Sequence, residues 1–428
     1  MKGLISWFGF KVWRFLERAW EIGVDDPRKV IHCLKLGLAL TLISFLYFMR
    51  PLYEGFGKNA MWAIMTVVVV YEQTVGATLY KSLNRMIGTS VAGFLAVGVH
   101  WVATQSGQKY EPFIVGIFVF ILGSAATFSR FIPIVKARFD YGALIFILTF
   151  SLVTISGYRV DELLKMAQQR VSTIIIGTSL CTIVIMLVCP VWAGEELHNL
   201  IILNMNKLAN SLDGCVTLFF NNVDQNNEES QTKLLGYKSV LSSKGNEESM
   251  ANFARWEPAH GQFNFRHPWE QYLKIGAAIR RCAYCIEALN TCLTSDNHKA
   301  SQVIKKQVKG SCLRLSSIFS SAVKELGKSI QSMRKPSTVN LFGEMNNAVQ
   351  ELQNDLKSIS DSLNLSPPSN PQSLPTLMEI IPLVTFVALL IEIASRVEVI
   401  SNAVEELGNV AEFKDAESPK KSKQNQNN

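Results

Sequence analysis

Apolar residues crowd the chain between positions 34 and 192 in six runs separated by short polar turns, and they thin out after it. The runs cover residues 34–49 (closed by Arg50 and Pro51), 60–71, 86–103, 112–128, 141–155 and 171–192. A bilayer core of roughly 30 Å needs about 20 residues of helix, so the shorter runs must borrow flanking residues. The run at 60–71 is too short alone and is expected to extend through polar residues on one side. From position 195 on, charged and amide residues dominate. Residues 195–220 read as helical, 221–230 as a polar loop, and helix-like stretches resume around 231–244, 268–298, 300–334, 338–361 and 375–412. Residues 366–375 form a Pro/Ser/Asn linker, and 416–428 carry almost nothing apolar and are expected to be disordered. The run at 380–391 is short and bracketed by Glu379 and Glu392, so it is read as a buried helix of the polar half rather than a seventh span.

This pattern predicts an all-α membrane protein: six transmembrane helices, with an inverted three-helix repeat, followed by a cytosolic helical domain. The expected parts are an amphipathic segment (1–33), a transmembrane domain (34–192), the cytosolic domain (193–412) and a tail (413–428). Before the first span, Trp7, Phe8, Phe10, Trp13, Phe15 and Trp20 alternate with Lys11, Arg14, Glu17 and Arg18. That is no cleavable signal peptide. It fits a helix in the cytosolic interface, or equally one packed on the other domain. Lys and Arg are about twice as frequent on the side shared with the N-terminus, which places both ends of the chain in the cytosol.

Composition agrees with a chain half in lipid and half in water. The 428 residues have a mean hydropathy of +0.17, only 18% are charged, and the net charge is +7. The positive balance suits anion handling or contact with anionic lipid. No nucleic-acid-binding motif is present, so nucleic acid is not an expected partner. The eight cysteines are scattered, and the lone Cys282–Cys285 C-x-x-C has no second pair.

The repeat rests on residues 60–66, which resemble residues 143–149, each followed at a similar distance by an arginine opening the next span, Arg85 and Arg170; the alternative is a chance resemblance between apolar helices. Three spans per half make the halves inverted, a plan common to transport proteins. An arginine within a span costs about 2.5–3.5 kcal/mol on insertion scales, so it usually faces a polar cavity. On a helical wheel Arg85 shares a face with Gly88, Ala92 and Ala96, and Arg170 with Thr173, Gly177 and Cys181. Small residues at such spacing permit close packing and leave room for a lumen. The alternative is two arginines snorkelling to the headgroups. Lys81 is assigned to the pore with the two arginines; Arg130, Lys136 and Arg138 are expected at its inner mouth, although positive-inside anchoring is the better account of any single one of them.

No nucleophile–base pair, P-loop or dinucleotide fingerprint is visible, so an enzyme is not expected, and no cofactor is implied. In residues 256–269, two His, two Trp and two Phe cluster. His260 and His267 have no clear third partner at a zinc spacing, so no metal site is assigned and an aromatic-anchored loop between helices is expected.

Residues 59–70, 139–142, 189–194 and 256–269 together resemble the plant aluminium-activated malate transporters. The resemblance runs from about Asp25 to the end of the last helix. It implies a homodimer with six spans per subunit, a cytosolic helical domain, and passive flux of malate and other anions. The family's pore arginines match Arg85 and Arg170. The expected location is the plasma membrane, with the vacuolar membrane as the alternative. Glu54, Asp161 and Glu162 are the acids available for an extracellular cation. In aluminium-responsive members the resemblance implies a further carboxylate one turn beyond the position of Asp161; here that position is Lys165, which would pair with Asp161 and repel a trivalent ion, the alternative being that Lys165 points to bulk water and the remaining acids suffice. Little response to external aluminium is therefore expected. A coupled secondary transporter and a membrane-anchored scaffold stay open as other readings; the absence of an obvious intramembrane carboxylate argues against the first, and the two arginines against the second.

Overall fold

The computed structural model describes residues 2–49, 60–107, 109–156, 160–221, 233–294, 302–336, 339–365 and 377–415. Among these there is no strand, only two isolated bridges. The chain is an all-α membrane protein divided into two compact units. Unit 1 comprises residues 1–193 with 252–258; unit 2 comprises 194–251 and 259–428.

Unit 1 begins with α1 (Lys2–Asp25) and α2 (Pro27–Phe48). Between them Asp26 accepts a hydrogen bond from the Arg28 amide at 3.2 Å, and Pro27 opens α2, the combination that starts a helix cleanly. The rings of Trp7, Phe10, Trp13, Phe15 and Trp20 on α1 are all exposed. Next come α3 (Ala60–Val70) and α4 (Val75–Gln105). α3 does not extend past Val70, because Thr74 caps α4, its hydroxyl accepting from the Ala77 amide at 3.3 Å. An extension in the other direction falls outside the described residues. α4 starts well before position 86, where its apolar run begins. Its polar first turns remain helical because their side chains find partners: the Thr78 hydroxyl accepts from the Glu72 amide at 3.0 Å and Asn84 donates to the Tyr80 carbonyl at 2.9 Å.

α5 (Glu111–Ser129), the short α6 (Pro133–Arg138), α7 (Asp140–Ser156) and α8 (Val160–Leu187) complete the unit. α8 stops before Pro190 rather than running on to Trp192, with Cys189 in the left-handed region at φ 42°. By length and composition α2, α4, α5 and residues 168–187 of α8 are able to cross a membrane, and α3 and α7 are shorter apolar helices. Phe45, Phe48, Phe94 and Phe120 stand fully outward, an apolar surface suited to lipid.

The helices of the unit pack on one another as follows. α4 packs on α7 and α5, as α8 packs on α3 and α2, and α4 and α8 meet each other. Both cross-half contacts close on a glycine. A Cβ on Gly88 of α4 would lie 2.6 Å from the Gly142 carbonyl oxygen of α7; one on Gly177 of α8 would lie 3.0 Å from the Thr66 methyl of α3.

Unit 2 is built from α9 (Ala193–Asn221, whose first residue belongs to unit 1), α10 (Gly236–Ser242), α11 (Lys244–Ala254, whose last three residues belong to unit 1), α12 (Trp269–Thr294), α13 (Gln302–Ser332), α14 (Val339–Leu365) and α15 (Leu377–Val410). The expected 366–375 linker, the 221–230 loop from Asn222 on, and the 416–428 tail lie outside the described residues. α15 is long and apolar enough to span a membrane by composition. Here Leu383, Phe386, Leu390, Val397 and Val404 are buried in a helix that packs on α12 and α13. Polar contacts from α12 run alongside: Gln271 and Lys274 reach Glu406 at 3.0 and 2.9 Å, and Arg396 donates to the Arg281 carbonyl at 2.7 Å.

The histidine-rich segment forms a buried aromatic cluster. The Tyr272 hydroxyl lies 3.0 Å from His198 Nδ1 and 3.3 Å from His267 Nε2; Phe263 packs on both histidine rings, and Trp269 packs on His267 and Tyr272. Among the described residues no group of three metal-binding side chains is present. Burial lowers both His198 and His267 to about 4. Their unfolded value near 6.5 is higher, so the unfolded chain binds more protons below that pH. The stability given by the neutral rings is complete above pH 6.5 and declines as pH falls towards 4, by about 1.4 kcal/mol per pH unit for each ring at most. The thermal midpoint of unit 2 in the solubilised protein is expected to drop across this window, and a His198→Gln/His267→Gln protein to show a flatter profile. Equal slopes in the two proteins would refute this account.

Candidate functional site

The two arginines lie on different helices of unit 1 and line one small cavity. Its walls are Trp62 of α3, Arg85 and Thr89 of α4, Ile145, Leu148 and Thr149 of α7, and Arg170, Thr173 and Ile174 of α8. It holds about 20 Å³, space for one water. In the repeat, residues 62 and 66 correspond to 145 and 149, and Arg85 and Thr89 to Arg170 and Ile174. The cavity therefore draws Trp62, Arg85 and Thr89 from the first three spans and Ile145, Thr149, Arg170 and Ile174 from the last three.

The two guanidinium groups are held by different chemistry. Arg85 is 8% exposed and donates from Nη1 to the Tyr141 hydroxyl at 3.2 Å. Its Nε and the Thr89 hydroxyl are buried without a partner among the described residues. Unpaired buried donors and acceptors are costly, about 1–3 kcal/mol each, and need a ligand, water or ion to explain them. Arg170 instead lies over the Trp62 ring, its Cζ 3.5 Å from the centroid, within cation–π range.

Lys81, one turn before Arg85, does not line the cavity. Its ammonium pairs with Glu72, donates to the Val69 carbonyl at 3.4 Å and sits 5.6 Å from the Tyr141 ring centroid. Of the basic residues expected at an inner mouth, Arg130 is neutralised by Asp140 through two hydrogen bonds, Nε at 2.7 Å and Nη2 at 3.2 Å. Lys136 and Arg138 form the exposed last turn of α6. Glu54 lies outside the described residues. Asp161, Glu162 and Lys165 are on the first turns of α8, and their side chains lie outside the description.

Sequence reasoning missed one set of residues. The 256–269 segment, expected to be one loop, is divided between the units, and residues 252–258 belong to unit 1. There the Glu257 carboxylate accepts from the Gly76 amide at 3.0 Å and the Ala193 amide at 2.6 Å. It thus caps the N-terminus of α4, where a negative charge is favoured. Phe253 and Trp256 pack on Tyr80 at 5.6 and 5.8 Å, Trp256 meets Phe139 edge-on, and Asn252 donates to the Ala137 carbonyl. The segment ties the start of α4 to the α6–α7 junction. The one signal in sequence was an acid between a tryptophan and a proline.

The arrangement offers positive charge and unsatisfied donors inside an apolar helical unit, with no carboxylate among the residues lining the cavity. Comparison with known proteins agrees in kind. The family model described as aluminium activated malate transporter matches residues 20–375. Aluminum-activated malate transporter 10 of Arabidopsis thaliana is 52% identical, over 94% of this chain and 86% of its own length. Aluminum-activated malate transporter 2 of the same plant is 44% identical over 96% and 81%, and aluminum-activated malate transporter 1 of Triticum aestivum 39% over 98% and 90%. These relatives are named as transporters, not enzymes. With a match of this length and identity, the chain belongs to the aluminium-activated malate transporter family.

Proposed function

We propose that the protein is an anion channel that passes malate and other small anions through a pathway lined by Arg85 and Arg170, working as a homodimer in a plant membrane with both chain ends in the cytosol. The plasma membrane is the proposed location. The observation that carries this reading is the shared cavity: two arginines from opposite halves of unit 1, one with a buried Nε free of partners among the described residues. Arginine keeps its charge in such a place because its delocalised guanidinium is not deprotonated in proteins. A unit charge about 8 Å from one guanidinium, at an effective dielectric near 20, gains roughly 2 kcal/mol. A dianion between two gains several times that, which offsets part of its desolvation, while water in the pathway keeps binding reversible. A cavity of about 20 Å³ is a constriction too small for malate, so conduction requires α3, α4, α7 and α8 to separate there.

The coupled-transporter reading is weakened by the acids at the span ends. Glu72 is paired with Lys81 and Asp140 with Arg130, so neither is a free carboxylate for a proton relay.

At equal surface density, Arg85→Ala and Arg170→Ala are each expected to cut malate current by at least about tenfold, the equivalent of 1.4 kcal/mol. Arg85→Lys should lose less, since it keeps the charge but not the planar fork. Undiminished current in both alanine variants would sink the reading, and a strictly monomeric solubilised protein would remove the dimer from it.

A further inference from the structure

We propose that Trp62 is a positioning residue that fixes the orientation of the Arg170 guanidinium, and through it the preference of the pathway for carboxylates over spherical anions. The inference rests on the arginine-lined pathway and adds to it the residue that decides which anions Arg170 prefers.

Arg170 Cζ sits 3.5 Å from the centre of the Trp62 ring, the separation of a guanidinium plane lying on an aromatic face. Such a stack occupies the face of the cation and leaves its N–H edges open. Among the described residues no hydrogen bond reaches the Arg170 guanidinium, and the contact that aims it is the Trp62 face. Arg85 is aimed otherwise, by the Tyr141 hydroxyl, and the repeat partner of Trp62 is Ile145, which has no π face to offer. The two arginines are therefore not interchangeable.

The ring is itself held in place. α3 rides close on α8: a Cβ on Gly177, two turns beyond Arg170, would lie 3.2 Å from the Ala63 carbonyl oxygen, and Ala63 and Val67 are fully buried. The Trp62 carbonyl accepts from the Thr66 hydroxyl at 2.8 Å. The same helix contact that seals α3 on α8 sets the distance between ring and cation.

The consequence is chemical. A carboxylate is planar and takes two parallel N–H donors from one guanidinium edge, whereas chloride needs only charge. A guanidinium fixed by its face presents that edge in one direction. Freed from the ring, it samples many directions and discriminates less, although its charge is unchanged.

The test is the malate-to-chloride permeability ratio of the full-length channel, read from reversal potentials in defined gradients. Trp62→Leu is expected to lower the ratio about fivefold, which corresponds to roughly 1 kcal/mol. Trp62→Phe, which retains a ring face, is expected to hold it within about twofold of wild type. Loss of packing alone lowers the number of working channels and affects both anions equally, leaving the ratio unmoved. Trp62→Met serves as the second non-aromatic variant if Trp62→Leu does not reach the surface. An unchanged ratio in the non-aromatic variant overturns the inference, as does an equal fall in the phenylalanine and non-aromatic variants. Arg170→Ala separates the two levels. If it abolishes malate current while Trp62→Leu keeps the wild-type ratio, only the positioning role falls. If it leaves current and ratio intact, the arginine pathway falls with it.

Discussion

Replacing Arg280 with alanine is expected to destabilise unit 2 by about 3–5 kcal/mol, the largest effect of any single polar side chain there. Arg280 Nη1 pairs with Glu247, whose side chain is 1% exposed against 12% for the arginine. Glu247 also accepts from the Ser243 hydroxyl at 2.6 Å and lies 3.4 Å from the Asn204 amide nitrogen. The site is tight because α12 presents Gly276 to the carboxylate, where any Cβ would collide with it. Alanine at 280 removes the counter-charge and leaves a buried carboxylate with neutral donors only. The cost is that of an uncompensated charge rather than of a lost hydrogen bond. A Glu247→Leu/Arg280→Met protein removes both charges and is therefore expected to be more stable than Arg280→Ala alone. Denaturant unfolding of the solubilised protein, followed by tryptophan fluorescence, measures both. A loss under about 1 kcal/mol in Arg280→Ala would place this pair with ordinary surface ion pairs.

The same glutamate shows why part of the fold escapes a reading of the sequence. α11 is absent from the expected helices because its most deeply buried long side chain, Glu247, is charged, and a charge at a core position breaks the apolar period that marks a helix. The apolar runs of α2, α5 and α7 lie in sequence nearly where they lie in space, since nothing but length and hydropathy is needed to recognise them. α4 is longer than its run because hydrogen-bonded polar side chains, Thr78 and Asn84 among them, continue the helix. At the candidate site, Arg85 and Arg170 are legible because a charge amid small residues is an anomaly that asks for a cavity. Trp62 is not, because an aromatic within an apolar run looks like any other packed ring. Pairings between distant positions are equally hidden: Asp140 neutralises Arg130 across ten residues, and Glu257 reaches Gly76 across 181. Both depend on tertiary structure that no local period encodes.

Gly88→Leu is expected to abolish the folded membrane unit, whereas Gly98→Leu on the same helix is expected to be tolerated. A Cβ on Gly88 would stand 2.6 Å from the Gly142 carbonyl oxygen and 3.4 Å from the Phe146 nitrogen. Those atoms are backbone, so a larger residue separates α4 from α7 instead of displacing a side chain. Gly142 is constrained in return, because its own Cβ would come 2.8 Å from Asn84 Oδ1. Separation of these helices also breaks the Arg85–Tyr141 contact and opens the arginine cavity to lipid. Overpacking against a side chain typically costs about 1–3 kcal/mol, and a contact with fixed backbone exceeds that. Gly98 has no atom within 4 Å of its would-be Cβ, and leucine there gains roughly 1 kcal/mol of helix propensity. The α3–α8 contact supplies an internal scale. At Gly177 the nearest atoms are Thr66 Cγ2 and Cβ at 3.0 and 3.1 Å and the Ala63 carbonyl oxygen at 3.2 Å, all farther than the 2.6 Å at Gly88, so Gly177→Ala is expected to be milder than Gly88→Ala. Surface labelling and the elution profile of the solubilised protein rank the four variants: Gly98→Leu near wild type, then Gly177→Ala, Gly88→Ala and Gly88→Leu. A Gly88→Leu protein that reaches the surface and elutes as wild type does would show that α4 and α7 are not in contact through their backbones, and the cavity built on that contact would have to be placed elsewhere.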